Sequence, residues 1–314
     1  MSPLIEAKGL RKEFILKDRR RSKLIAVDDV ALSINQSQTY GLIGESGSGK
    51  TTVGRVLLKL LPPTAGELKY DGTNYEKLKG RSFKPIQKKM QMVFQDPYYS
   101  LNPNRTLWDT VSSACGEKRN RNERADLVKH ALDRVQVGKG DYEKYPHQIS
   151  MGQQQRVGIA RAIVSSPNFI VLDEPTSSLD LTIRGEIMSL LVNLQEELNI
   201  SYLFISHDLS TIQHMCHMVS IMYLGQIVES GTVDQVFNNP GHPYSVALLA
   251  SVMHPDPDIK RSSYFLKGEI PSPIDLPESC YLANRCPEAT EICHNQSPPI
   301  KEIAKNHTVR CHHR

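Results

Sequence analysis

Residues Gly41–Leu61 read "GLIGESGSGKTTVGRVLLKLL", and this stretch decides the fold. An apolar strand runs into Gly44, four residues pass, and Gly49, Lys50 and Thr51 open a helix with Val53, Val56, Leu57, Leu60 and Leu61 as its apolar side. Strand, glycine loop and helix in that order is the setting in which G-x-x-x-x-G-K-T acts as a phosphate cradle rather than a flexible glycine run. The glycines let successive backbone N–H groups turn inward around a β-phosphate. Lys50 brings a point charge to the β- and γ-phosphates, and the Thr51 hydroxyl ligates Mg²⁺, all at a helix N-terminus that favours anions. The nucleotide-binding set is therefore Gly44, Glu45, Ser46, Gly47, Ser48, Gly49, Lys50, Thr51 and Thr52.

Downstream, "FIVLDEP" (Phe169–Pro175) supplies a second half. Four apolar residues make a buried strand, and Asp173 at its C-terminal end is suited to hold magnesium through water, where a lone acid would otherwise be costly. Glu174 stands next to it, in place to orient or deprotonate an attacking water. By itself an apolar strand ending in Asp-Glu carries little weight, and the glycine loop upstream gives it meaning. Further strand-like runs lie at 25–34, 39–43, 90–94, 201–205 and 218–223. The segment 181–197 puts Ile183, Ile187, Leu190, Leu191 and Leu194 on one helical face between two apolar strands. A parallel sheet with crossover helices follows, so the core is α/β. From Phe94 to Ser150 the sequence turns Asn-, Arg- and Tyr-rich, with a helix expected over 121–136, and reads as an inserted subdomain.

"HQISMGQQQRVGIARA" (His147–Ala162) offers neither nucleophile nor metal ligand. In order along the chain stand the phosphate loop, Gln95 in "VFQDPYYSLNP", "ISMGQ" at 149–153, "LDEP", "SSLD" at 177–180 and His207 in "ISHD". With these six elements the chain resembles the nucleotide-binding subunits of ABC transporters over about residues 1–250. The resemblance implies an ATPase with a RecA-like parallel core and an antiparallel β subdomain. It implies that Phe14 stacks on adenine, that Gln95 senses magnesium and the membrane partner, and that His207 contacts the γ-phosphate. It further implies that Asp180 links two sites, and that the loop Ser150, Met151, Gly152, Gln153 faces an ATP held by a second subunit. Taken singly, Phe14 reads equally as edge-strand packing, Gln95 as nothing in particular and His207 as a surface histidine; their order lifts them. Magnesium would then be held by Thr51, Gln95 and Asp173. One departure is Met151, where the family's loop carries a glycine; a Met lacks easy access to φ > 0 and adds a side chain beside the phosphate. A weakened loop of this kind favours a heterodimer in which only one of two sites turns over fast.

The chain has 314 residues, 39% of them hydrophobic and 23% charged, with a formal charge of +4, the balance of a folded protein. That charge is too weak to call for a nucleic-acid partner. The basic run "KDRRRSK" (Lys17–Lys23) reads as a solvated loop between strands. There is no apolar run long enough to cross a bilayer and no signal-peptide core, so the chain is expected in the cytoplasm. Of six cysteines, Cys115 and Cys216 read as small buried apolar residues. Cys280, Cys286, Cys293 and Cys311 crowd into a proline-studded tail, where a metal is a commoner use than a disulfide in a cytoplasmic chain. Their spacing makes a poor zinc ribbon, and four thiolates also hold iron–sulfur clusters. The tail, with "HPYSVALLASV" (His242–Val252), resembles the C-terminal extension of oligopeptide- and dipeptide-importer ATPases, which implies a [4Fe–4S] cluster; zinc, with His294, His307 or His312 to help, is the alternative. The expected organisation is a nucleotide-binding domain over 1–255, with a helical subdomain at about 96–165, and an extension over 256–314. The resemblance implies import of peptides at the cytoplasmic face of the membrane, with a second ATPase subunit, two membrane-spanning permease subunits and, indirectly, an extracytoplasmic solute-binding protein. A soluble ABC ATPase acting on ribosomes or DNA is the alternative. The repair type needs a long coiled coil between Lys50 and Asp173, an interval broken by Pro97, Pro103 and Pro146.

Overall fold

The computed structural model describes residues 2–16, 22–116, 120–251 and 264–314. Residues 17–21 of the basic run, and with 252–263 the expected boundary at 255/256, lie outside the described residues. The strands are β1 (Ile5–Ile15), β2 (Lys23–Ile34), β3 (Thr39–Ile43), β4 (Ala65–Tyr70), β5 (Thr73–Asn74), β6 (Met90–Val93), β7 (Phe169–Asp173), β8 (Ser201–Ile205), β9 (Met218–Tyr223), β10 (Gln226–Thr232), β11 (Ile300–Ala304) and β12 (His307–Arg310). The helices are α1 (Lys50–Leu57), α2 (Lys84–Gln87), α3 (Pro97–Ser100), α4 (Leu107–Ser112), α5 (Arg121–Arg134), α6 (Met151–Ile163), α7 (Leu181–Leu198), α8 (Leu209–Met215), α9 (Val233–Asn238), α10 (Pro243–Ala250) and α11 (Glu291–Asn295). Among the described residues no helix is long and apolar enough to cross a membrane.

The chain divides into two compact units, the first made of residues 1–33, 39–76 and 205–314, the second of 34–38 and 77–204. In the first unit, one sheet has the order β2-β1-β4-β5, with β1 and β4 antiparallel and β4 and β5 antiparallel. The alternation of buried and exposed residues in β2 slips by one at Asp28–Asp29, where Asp29 takes φ 49°, so Ile25 and Val27 before it and Val30 and Leu32 after it share the buried face. The same unit holds the order β11-β12-β10-β9-β3, parallel between β3 and β9 and antiparallel among the rest. β3 is buried from end to end, as its unbroken apolar reading requires of a strand covered on both faces. Gly41 sits in it because a Cβ there would come within 3.0 Å of Cys216 Sγ and 3.2 Å of Ile212. The Cys216 thiol is pushed up by burial and, like the buried Cys115, it packs as an apolar group.

The second unit has strands β8-β7-β6, with β7 and β6 parallel, and between β6 and β7 the described chain carries only helices. α7 buries Ile187, Leu190, Leu191 and Leu194 as the spacing expects, while Ile183 is only half-buried. α1 is shorter than its apolar pattern: it ends at Leu57, Lys59 turns left-handed at φ 53°, and Pro62 and Pro63 follow, so Leu60 is left 52% exposed rather than on the helix's buried side. α5 likewise closes before Gln136, which takes φ 61°.

Candidate nucleotide site

The first unit carries the glycine loop between β3 and α1. Gly44, Gly47 and Gly49 have φ of 151°, 78° and 104°, in the region that side chains avoid. A Cβ on Gly44 would lie 2.2 Å from the Met222 carbonyl oxygen and one on Gly49 would lie 2.1 Å from that of Ala26, so both glycines are fixed by space as well as by dihedral angle. Lys50 is buried, and its ammonium donates to the carbonyls of Gly44 at 2.7 Å and Glu45 at 2.8 Å and to Ser48 Oγ at 3.3 Å. The cation is therefore held at the base of a loop whose N–H groups and helix terminus favour an anion. Phe14, half-buried on β1, has the Lys12 ammonium 5.0 Å from its ring centroid, and His207 is exposed between β8 and α8.

The second unit carries Gln95, Asp173, Glu174, Asp180 and the loop at 150–153. Asp173 closes β7 and is 2% exposed. Glu174 follows at φ 46°, a left-handed conformation that costs a non-glycine residue on the order of 1 kcal/mol. The turn is held by Ser177, whose N–H and hydroxyl donate to the Glu174 carbonyl at 3.3 and 3.1 Å. Gln95 and Glu174 are brought together: the amide Nε2 donates to Glu174 Oε2 at 2.8 Å. Asp180 is the N-cap of α7, its carboxylate accepting from the Ile183 N–H at 3.0 Å. Within this unit Asp173 and Gln95 carry carboxylate and amide oxygens, hard donors of the kind that suits magnesium.

Ser150 and Gln153 form a reciprocal cap on α6: Gln153 N–H donates to Ser150 Oγ at 3.3 Å and Ser150 N–H to Gln153 Oε1 at 3.1 Å. Met151 is the first residue of α6 and is absent from the positive-φ positions, so the expected backbone penalty does not arise. Its side chain is 43% exposed. The glycine that space demands is Gly152, where a Cβ would lie 2.7 Å from Ile183 Cγ2.

The expected iron–sulfur cluster, and zinc with it, is corrected by the structure. Among the described residues no group of three or more His, Cys, Asp or Glu side chains is arranged to hold a metal ion. Cys293 and Cys311 are buried, burial pushes the Cys280 thiol up to about 11 with the three neighbouring thiols adding to the rise, and Cys286 is raised by the same cause. Burial thus favours the neutral thiol at Cys280 and Cys286. What holds the tail is packing and charge: Leu282, Ala283 and Val309 are buried, β12 pairs with β10, and Arg310 meets Asp29 at 2.7 Å.

Two residues that the sequence reading passed over lie against the loop within the first unit. The Glu45 N–H donates to the Tyr244 hydroxyl at 3.1 Å, and the Arg285 Nη1 is 3.5 Å from Glu45 Oε2. The only hint was that "HPYSVALLASV" was singled out for its resemblance and not for any chemistry.

Residues 27–177 match the ABC transporter family, and residues 228–293 match the oligopeptide/dipeptide transporter C-terminal region. A putative peptide import ATP-binding protein of Brucella ovis is 39% identical over 315 residues, covering 99% of this chain and 98% of its own. The oligopeptide transport ATP-binding protein AppF of Bacillus subtilis is 40% identical, covering 98% of this chain and 97% of its own. Both are named as ATP-binding proteins without mention of a cluster. Among solved structures, the dimeric post-hydrolysis ATP-binding cassette MJ0796 bound to ADP and Pi superposes with a TM-score of 0.66 at 26% identity, covering 73% of this chain and 98% of that one.

Proposed function

The chain belongs to the ABC transporter family of ATP-binding subunits, and from that premise we propose how its residues drive import. It is an ATP-hydrolysing subunit that energises uptake of peptides, working with membrane-spanning permease partners and in a dimer of ATPase subunits. The observation that carries the reading is the buried Lys50 ammonium at the base of a left-handed glycine loop opening α1. The alternative of an ATPase acting on ribosomes or DNA draws no support from the relatives described above.

In our reading residues 44–52 wrap the phosphates and Lys50 exchanges its two carbonyls for phosphate oxygens. Phe14 stacks on adenine and His207 meets the γ-phosphate. Thr51, Asp173 and Gln95 would hold magnesium, which neutralises charge on the phosphates when bound. Glu174 accepts the proton of the attacking water, and its strained turn together with Gln95 Nε2 fixes where the carboxylate points. Asp180 links the two sites of the dimer. Ser150, Met151, Gly152 and Gln153 close over the nucleotide of the partner subunit. We assign 1–255 to the nucleotide-binding domain, with its helical subdomain at about 96–165, and 256–314 to the extension. The complex sits at the cytoplasmic face and receives solute from an extracytoplasmic binding protein.

Heterodimerisation is favoured by the exposed Met151 side chain, which stands at the first turn of α6 where an incoming phosphate would approach. Glu174→Gln, made in the assembled transporter, keeps the shape and removes the base. ATP should still bind while turnover at that site falls by about 10²-fold or more. Hydrolysis at the wild-type rate would remove Glu174 from the mechanism.

A further inference from the structure

We propose that Tyr244 and Arg285, both in the region that matches the transporter-specific C-terminal family, are positioning residues for the phosphate loop and set its affinity for ATP. The inference rests on the ATPase reading of that loop. Its starting point is Glu45, the first residue after the Gly44 turn. The Glu45 N–H is committed to the Tyr244 hydroxyl at 3.1 Å, and its Oε2 is buried, with an ion pair to Arg285 at 3.5 Å but no hydrogen bond. Its carbonyl, in turn, holds Lys50 at 2.8 Å. One residue thus joins the lysine that meets the phosphates to two side chains from the C-terminal part of the chain.

Those two side chains are themselves fixed. The rings of Tyr244 and Tyr223 are 4.7 Å apart, and Arg285 Nη1 donates to the Tyr223 hydroxyl at 3.3 Å with its guanidinium 5.8 Å from the ring centroid. Tyr244 is 1% exposed and Arg285 8%, so neither is a surface group that happened to fall nearby. The turn that launches Tyr244 is bound from several sides. Glu229 accepts from the Gly241 and His242 N–H groups at 2.7 and 2.8 Å and pairs with His307 at 2.7 Å, while Arg314 Nε donates to the Gly241 carbonyl at 2.8 Å. The end of the chain therefore reaches the loop through the residue 241–244 turn. A loop braced in this way loses less freedom when nucleotide arrives, which raises affinity without touching the chemical step.

The test uses the complete transporter, with ATP as the probe. Tyr244→Phe keeps the ring stack and deletes one acceptor, and KM for ATP should rise about three- to tenfold, the worth of a single hydrogen bond, with kcat at saturating ATP unchanged. Arg285→Gln should raise KM similarly, and Arg285→Lys, which keeps the charge, should recover part of the loss. A residue that only supports folding would lower kcat per mole and Tm together and leave KM where it was, and that outcome overturns the proposal. Should Arg285→Gln fail to assemble, Tyr244→Phe alone decides. If the wild-type complex hydrolyses no ATP the ATPase reading falls; if it does, and Lys50→Ala stops it while Tyr244→Phe leaves KM unmoved, only the brace falls.

Discussion

At Gly152 the first turn of α6 has no room for a side chain, and the obstacle is a β-branched carbon rather than a flexible tip, since a Cβ would sit 2.7 Å from Ile183 Cγ2. Gly152→Ala should cost about 1–3 kcal/mol, the range of overpacking, read as a fall of several degrees in the Tm of the full-length chain. Combined with Ile183→Ala the two losses should sum to less than their parts, because the second change removes the clash; strict additivity would show that the contact is not the cause. Position 151 is the contrasting case. The sequence places two penalties at Met151, one of dihedral angle and one of a side chain beside a phosphate. The first does not arise, because the backbone at Met151 is already helical, and the crowding at Gly152 is a separate demand that the sequence does not announce. Sequence gives residue identity and spacing, and neither reveals which neighbour crowds a Cβ.

α7 carries a residue with two roles to separate. Asp180 caps the helix through the Ile183 N–H at 3.0 Å, so Asp180→Ala loses the cap, worth about 1 kcal/mol, along with any role in linking sites. Asp180→Ser keeps a capping oxygen and removes the charge. Thermal stability should drop in Asp180→Ala and stay near wild type in Asp180→Ser, while cooperativity of ATP hydrolysis should fall in both. Unchanged cooperativity in Asp180→Ser would leave capping as the whole role. Elements with strong periods were legible beforehand: β3, β7, β8 and β9 from unbroken apolar runs and α7 from its apolar face. The ends of α1 and α5 were not, because Lys59 and Gln136 take left-handed turns that their residue types do not announce. β1, β4 and β10 were also missed as residue patterns. β1 carries its buried Leu10 between exposed Lys8 and Gly9 and a half-buried run from Arg11 to Phe14, and it pairs across a register shift, which blurs the period of 2.

For the molecule as a whole, the C-terminal region contributes a buried, uncharged histidine at the base of the brace. Burial, with the Arg314 charge as the next cause, lowers His242 to about 3, against 6.5 in an unfolded chain. The unfolded state therefore takes up a proton below pH 6.5 that the native state refuses until about 3, so stability is complete above 6.5 and drains away as pH falls through that window. Each pH unit inside it costs up to about 1.4 kcal/mol. Tm of the full-length chain should fall by a few degrees per unit between pH 6 and pH 4, about the window named above. His242→Asn, which still caps α10, should flatten that slope; an unaltered slope would assign the acid sensitivity to another group. The tail's hold on the fold was the least legible feature of all. Four crowded cysteines drew attention to metal, while Arg285, Arg310 and Arg314, which make its ion pairs, are ordinary residues in a polar sequence.

The Lys50 ammonium donates to the carbonyls of Gly44 and Glu45. In the function proposed above, nucleotide capture exchanges those bonds for phosphate ones, so the net gain is a difference between two sets of contacts. Inorganic phosphate meets the same loop N–H groups but brings a single anion to the exchange. A nucleoside triphosphate brings several phosphoryl groups to it, and the margin between the two ligands is therefore set in part by the loop's own carbonyls.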